Sequence, residues 1–138
     1  MIFLVMLMGI FDVGRLIFMY NGVSEAAREI ARRTSVHTFD AVSALDSLGS
    51  SDETRETVDI QRGLVPGMHD VPPGSPNFEC VDIAGALSLS GSRCGWDEYQ
   101  DYVRVTVSAT YQPITLLGIV GPITLQSSST VAIPTNRG

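Results

Sequence analysis

The N-terminal 36 residues constrain this chain more than any other stretch. Residues 1–11 form an unbroken apolar run, interrupted at residues 12–15 and resumed at residues 16–19. The following residues, 21–33, become polar but keep a helical spacing of apolar positions, and no proline occurs before Pro66. These features predict one continuous helix over residues 1–36, apolar in its first half and amphipathic in its second. About 20 apolar residues match a bilayer core of roughly 30 Å, so the first half is expected to enter a membrane as a single-pass segment.

This segment differs from a cleaved signal peptide. It has no basic region at its start, no small-residue cleavage site follows it, and Asp12 and Arg15 lie where a signal peptide is uniformly apolar. A retained membrane anchor is therefore expected. The apolar run starts at Met1 itself, which suggests a truncated or processed N-terminus.

Charge divides the chain into two regions. Residues 1–39 carry four Arg and three acidic residues, net +1, and the other 99 residues carry five Arg and twelve acidic residues, net −7. We expect residues 37–138 to form a small acidic extracytoplasmic domain, a poor partner for nucleic acid. Since all nine basic residues are Arg, chemistry that needs a lysine amine is excluded.

No catalytic or cofactor-binding pattern is present in the sequence. There is no G-x-S-x-G serine motif, no glycine-rich phosphate loop and no zinc-ligand spacing, and His37 and His69 lie far apart. Asp97, Glu98 and Asp101 lack the spacing of a calcium-binding loop. The sequence therefore predicts a protein that is not an enzyme and has no metal, cofactor or small-molecule substrate.

The two cysteines, Cys80 and Cys94, both lie in the acidic region without nearby histidines. A disulfide between them is the favoured interpretation, and two buried free thiols are the alternative. A disulfide implies an oxidising compartment. Arg28, Arg32 and Arg33 follow the apolar segment and favour the opposite, a cytoplasmic C-terminal side.

The acidic region predicts helices over residues 41–48 and 51–64, the second capped by Ser50 with Glu53. Strands are expected over residues 78–83 and 86–90. Residues 102–112 and 123–133 alternate apolar and polar side chains and predict the two strongest strands. The expected fold is α+β and pilin-like: a long N-terminal helix on a small antiparallel sheet, with Val103, Val105 and Val107 facing Ala27, Ile30 and Ala31.

Asp12 and Arg15 form the most unusual local feature of the helix. Their i, i+3 spacing permits an ion pair on one face, and charges inside an apolar segment are costly unless they are paired. The alternatives are an internal pair near a membrane edge and a pair that sets the stagger between neighbouring helices. We favour the second and expect both residues to act in helix–helix assembly.

Two stretches of the chain resemble the TadE-like minor pilins of the tight-adherence (Tad) branch of type IV pilus systems. The first is Gly9-Ile10-Phe11-Asp12-Val13-Gly14-Arg15-Leu16-Ile17-Phe18-Met19-Tyr20-Asn21 with Ala26-Ala27-Arg28-Glu29-Ile30-Ala31-Arg32. The second, weaker one is Val103-Arg104-Val105-Thr106-Val107 with Tyr111, Pro113, Leu116-Leu117, Ile123-Thr124-Leu125 and Ser128-Ser129-Thr130-Val131. The basic leader and Glu-Phe pair typical of that family do not precede Met1.

The resemblance implies a structural subunit of a cell-surface filament. Such a subunit sits in the inner membrane before assembly and then joins an extracellular polymer of identical or related pilin subunits. The resemblance also adds Gly14, Tyr20 and Asn21 to Asp12 and Arg15 as expected assembly residues. The alternative is a membrane-tethered binding or adhesion module that does not polymerise.

Overall fold

A long helix lies against a three-stranded antiparallel sheet, which confirms the predicted α+β class. The computed structural model describes residues 2–36, 51–68, 75–87, 102–114 and 121–134. The elements are α1 (Ile2–Val36), α2 (Asp52–Leu64), β1 (Asn77–Val81), β2 (Tyr102–Tyr111) and β3 (Ile123–Ala132). The predicted helix over residues 41–48 lies outside the described residues.

Helix α1 is continuous over 35 residues, as the absence of proline predicts. Its second half presents Val23, Ala26, Ala27 and Ile30 at helical spacing, and all four are fully buried. Three alanines, at positions 26, 27 and 31, let the helix backbone approach the sheet closely. The amphipathic half of the helix therefore belongs to the core of the domain.

Helix α2 confirms the second helix prediction, but its cap differs from the one expected. The Ser51 hydroxyl accepts a hydrogen bond from the Thr54 N–H at 3.3 Å, and Ser50 lies outside the described residues. An N-cap side-chain oxygen accepts from the N–H three residues later, so the position of Thr54 fixes Ser51 as the cap. Thr54 is fully buried against α1, where its hydroxyl lies 3.5 Å from that of Thr34. The packing of Thr54 thus contributes to placing the start of α2 directly after Ser51.

The sheet has the strand order β1-β2-β3, with β2 paired on both sides. Phe78 lies opposite Val105 in the first pair, and Val105 lies opposite Ser129 in the second. β2 and β3 each end one residue before the predicted boundary.

The first strand is shorter than the predicted range 78–83. It ends at Val81 because Asp82 opens a turn: its carbonyl accepts from the Gly85 N–H and its carboxylate from the Ala86 N–H, both at 2.9 Å. Of the second predicted strand, Leu87 forms an isolated bridge with Val81, and residues 88–90 lie outside the described part.

The core lies between α1 and the inner face of the sheet. Val103, Val105 and Val107 are fully buried there, as the alternation of β2 predicts. They share one cluster with the predicted helix positions Ala27, Ile30 and Ala31, which confirms that face assignment. Each buried valine contributes about 1.5–3 kcal/mol relative to an exposed one, so this contact is a main source of stability.

Candidate assembly site on the N-terminal helix

Asp12 is a buried carboxylate in an otherwise exposed apolar segment. It is 7% exposed, whereas nearly all apolar side chains before it are open to the surroundings. The end of β2 covers it: the Tyr111 hydroxyl donates to the Asp12 backbone oxygen at 2.9 Å and lies 3.4 Å from Oδ1. The Ile114 N–H donates to the same Oδ1 at 3.4 Å. These contacts tie the apolar half of the helix to the sheet.

Arg15 completes this cluster with a positive charge. Its Nη1 is 3.9 Å from Asp12 Oδ1, so the ion pair that the i, i+3 spacing permits is formed. The Arg15 side chain is 52% exposed, and its guanidinium lies 6.0 Å from the centre of the Tyr111 ring. An ion pair with one exposed partner is worth little by itself, up to about 1 kcal/mol. The Asp12 carboxylate is thus held by hydrogen bonds from Tyr111 and Ile114 as well as by Arg15.

The electrostatics of the cluster keep Tyr111 protonated. Burial raises the pKa of Tyr111 above its usual 10.0, and the nearby Asp12 carboxylate raises this pKa further. The Arg15 guanidinium lowers the pKa of Tyr111, but by less than burial raises it. Tyr111 is therefore a hydrogen-bond donor throughout the physiological pH range.

Tyr111 and Ile114 are the contacts that reasoning from the sequence missed. Tyr111 falls on the buried phase of β2, and a buried tyrosine hydroxyl needs a partner, so the sequence contained a signal. It contained none for the identity of that partner, since Asp12 and Tyr111 lie 99 residues apart. The Ile114 contact is made by a backbone N–H, which no side-chain pattern reveals.

The other expected assembly residues do not join this cluster. Gly14, Tyr20 and Asn21 are exposed. A methyl group built on Gly14 meets nothing within 4 Å, so this position is open to a close approach from outside. Val13, Ile17 and Phe18 are also exposed. We call these three residues, with Gly14 and Tyr20, the outer helix face.

The structure describes only one of the two cysteines in the predicted disulfide. Cys80 lies buried in β1, and Cys94 lies outside the described residues, so their disulfide stays a prediction. In the described ranges, no three His, Cys, Asp or Glu side chains gather as a metal site would require. Asp97, Glu98 and Asp101 lie outside those ranges.

The apolar half of α1 and its sequence pattern both bear on identity. Among the helices that the structure describes, α1 is the one long and apolar enough to cross a membrane. The chain matches no curated protein and no solved structure. Residues 1–32 match the model of a family described as TadE-like protein, which confirms the resemblance inferred from the sequence for the helix that carries Asp12, Gly14 and Arg15.

Proposed function

We propose that this protein is a pilin-like structural subunit of a Tad-type cell-surface filament. In this proposal α1 anchors the subunit in the inner membrane before assembly and packs against helices of other subunits in the extracellular filament. The family match and the apolar helix support the coarser statement, a membrane-anchored protein of a pilus system. The subunit role is structural and not catalytic.

The outer helix face is the observation that carries the proposal. At the level of residues 13–20, one side of α1 packs on the sheet through Leu16 and Met19, and the opposite side is apolar and exposed. Lipid would cover that side only if the acidic domain entered the bilayer too. Charged and polar groups make such an entry costly. A second protein surface of similar character, such as the same helix in a neighbouring subunit, covers it at no such cost.

Gly14 makes this packing specific. It sits in the middle of the outer helix face, and no atom of the described residues comes within 4 Å of a methyl group built on it. Small residues allow two helix backbones to approach closely, as in many membrane helix pairs. Asp12 and Arg15 lie directly beside it, and we propose that Arg15, the exposed member of the pair, sets the stagger between neighbouring helices. Tyr20 and Asn21 mark the polar end of the same contact.

The test fills the proposed contact without disturbing the subunit. The Gly14→Leu variant is expected to abolish or strongly reduce filaments seen by electron microscopy, at unchanged subunit abundance in the membrane. The matched control is Gly63→Leu, because Gly63 is also a helical glycine with nothing within 4 Å of an added methyl group.

Two outcomes would contradict the proposal. If the Gly14→Leu variant assembles like the parent, Gly14 is not at a subunit contact. If the parent protein yields membrane-bound particles and never filaments, the chain is a tethered binding module rather than an assembly subunit.

A further inference from the structure

One end of the sheet lies at the height on α1 where the exposed apolar segment begins. Tyr111 and Ile114 bind Asp12, and Tyr111 lies opposite Ile123 in the sheet. The last residues of β2 and the first of β3 are therefore level with Asp12. Residues 2–11 of α1 project beyond this level as a single apolar helix.

This end of the sheet exposes isoleucines. Ile114 is 62% exposed and Ile123 is 37% exposed. On the helix, Phe11 is also exposed at the same height. Ile114 and Ile123 thus lie at the level where the apolar surface of residues 2–11 meets the domain. A surface continuous with a membrane-entering helix is expected to meet the same bilayer.

The distribution of charged residues in the domain also fits contact of this end with a bilayer. Helix α2 runs antiparallel to α1, because Thr54 lies beside Thr34 and Val65 lies beside Gly22. Three of its four acidic residues, Asp52, Glu53 and Glu56, thus lie toward the end of the domain remote from Asp12. Among the described residues at the level of Asp12, the exposed charge is the guanidinium of Arg15. A membrane surface carries phosphates, so the exposed cation at this end suits it.

We propose that the Asp12 end of the domain rests on the bilayer, with Ile114 and Ile123 in the lipid interface and Arg15 beside lipid phosphates. From that height the ten helical residues 2–11 extend about 15 Å into the bilayer. The buried Asp12 cluster then lies at the membrane boundary, protected from lipid by Tyr111. The proposal rests on membrane anchoring by α1 and is independent of polymerisation.

Fluorescence quenching by brominated lipid tests this arrangement in the full chain. The chain contains one tryptophan, so variants are made in a Trp96→Phe background. Ile114→Trp reports the proposed contact. Ile83→Trp is the matched control, because Ile83 is 82% exposed and follows the β1 end that pairs with Tyr102, at the opposite end of the sheet. Phe3→Trp reports the anchoring helix.

The proteins are reconstituted in phosphatidylcholine vesicles with bromine at the upper acyl positions. The Ile114→Trp variant is expected to be quenched at least about twofold more strongly than Ile83→Trp, since interfacial side chains reach about 5–10 Å into the boundary. Equal quenching of these two variants with strong quenching of Phe3→Trp overturns the surface contact and leaves anchoring intact. If the Phe3→Trp variant is not quenched either, both the anchoring and this contact are wrong.

Discussion

At the scale of single residues, the cluster of Asp12, Arg15 and Tyr111 links the two halves of the chain. A carboxylate in an apolar helix is costly without partners, and here Tyr111 at the end of β2 and the Ile114 N–H beyond it supply them. The pair with Arg15 is only one of its contacts. Asp12 therefore has a role within its own subunit, which positions the sheet on the helix. The Arg15 side chain is half exposed and can therefore also contact another molecule.

Removing the Tyr111 hydroxyl tests this positioning role. Tyr111→Phe is expected to lower the free energy of unfolding by about 0.5–1.5 kcal/mol, because one buried hydrogen bond is lost while the ring stays packed. The measurement is denaturant unfolding of the full chain in detergent micelles. Tyr20→Phe, an exposed counterpart, is expected to change stability by less than about 0.5 kcal/mol. Equal effects of the two variants would show that the Asp12 contact adds no stability.

The raised pKa of Tyr111 predicts a loss of stability at alkaline pH. In the unfolded chain Tyr111 releases its proton near its usual 10.0, whereas the folded protein retains it to higher pH. Above pH 10 the unfolded state thus binds fewer protons, and stability falls as the pH rises toward the folded pKa. In unfolding titrations from pH 8 to 12, the Tyr111→Phe variant should lose less stability than the parent. Parallel curves would contradict the assignment.

At the scale of elements, the contact between the turn that follows α2 and strand β2 depends on one glycine. Gly67 has φ of +78°, a conformation that side chains disfavour, and its carbonyl accepts from the Thr110 N–H at 3.0 Å. A methyl group built on it collides with the Thr110 backbone oxygen. Gly63, two residues before the cap Val65, is instead an ordinary helical glycine with open space around it. The two positions therefore respond oppositely to the same substitution.

Gly67→Ala is expected to lower the free energy of unfolding by at least about 2 kcal/mol, through backbone strain and the collision. Gly63→Ala should raise it by about 0.5–1 kcal/mol, since alanine loses less backbone entropy in a helix than glycine. Thermal unfolding of both variants beside the parent provides the comparison. A Gly67→Ala variant as stable as the parent would show that this turn is not tied to Thr110.

At the scale of the whole molecule, α1 contacts two environments at once. One side of its second half is buried on the sheet, and its first half and outer helix face are apolar and exposed. A domain built on the helix itself cannot turn freely about it, so the position of the sheet along α1 is set by the fold. This geometry suits a subunit that must present its helix to neighbours in one orientation.

The Cys80–Cys94 disulfide is a prediction at this scale, because it would tie β1 to the segment that precedes β2. Closing a loop of about 15 residues contributes roughly 3 kcal/mol in the chain-entropy account. In freshly exported protein, thiol labelling under denaturing, non-reducing conditions should find no reactive thiol. After reduction it should find both. Two reactive thiols before reduction would rule the disulfide out.

Local sequence pattern was enough to predict the elements of this fold. Helix α1 follows from unbroken helical spacing without proline, and β2 follows from strict alternation that places Val105 on the buried face. Both predictions depend on apolar residues that recur every two to four positions, a pattern that can be read from the local sequence alone. The Asp12–Arg15 pair has the same short range. For the candidate site, the sequence thus indicated Asp12 and Arg15 as charged residues inside an apolar helix.

Only the tertiary structure decided how those residues are used. The bond from Tyr111 to Asp12 depends on how far the sheet slides along the helix, which is the sum of many packing contacts. The choice of Ser51 as the cap of α2 likewise follows from the burial of Thr54. Contacts between distant residues carry no local periodic signal. The sequence by itself therefore determined which residues Asp12 could meet along its helix, and the packing of helix on sheet decided that it meets Tyr111.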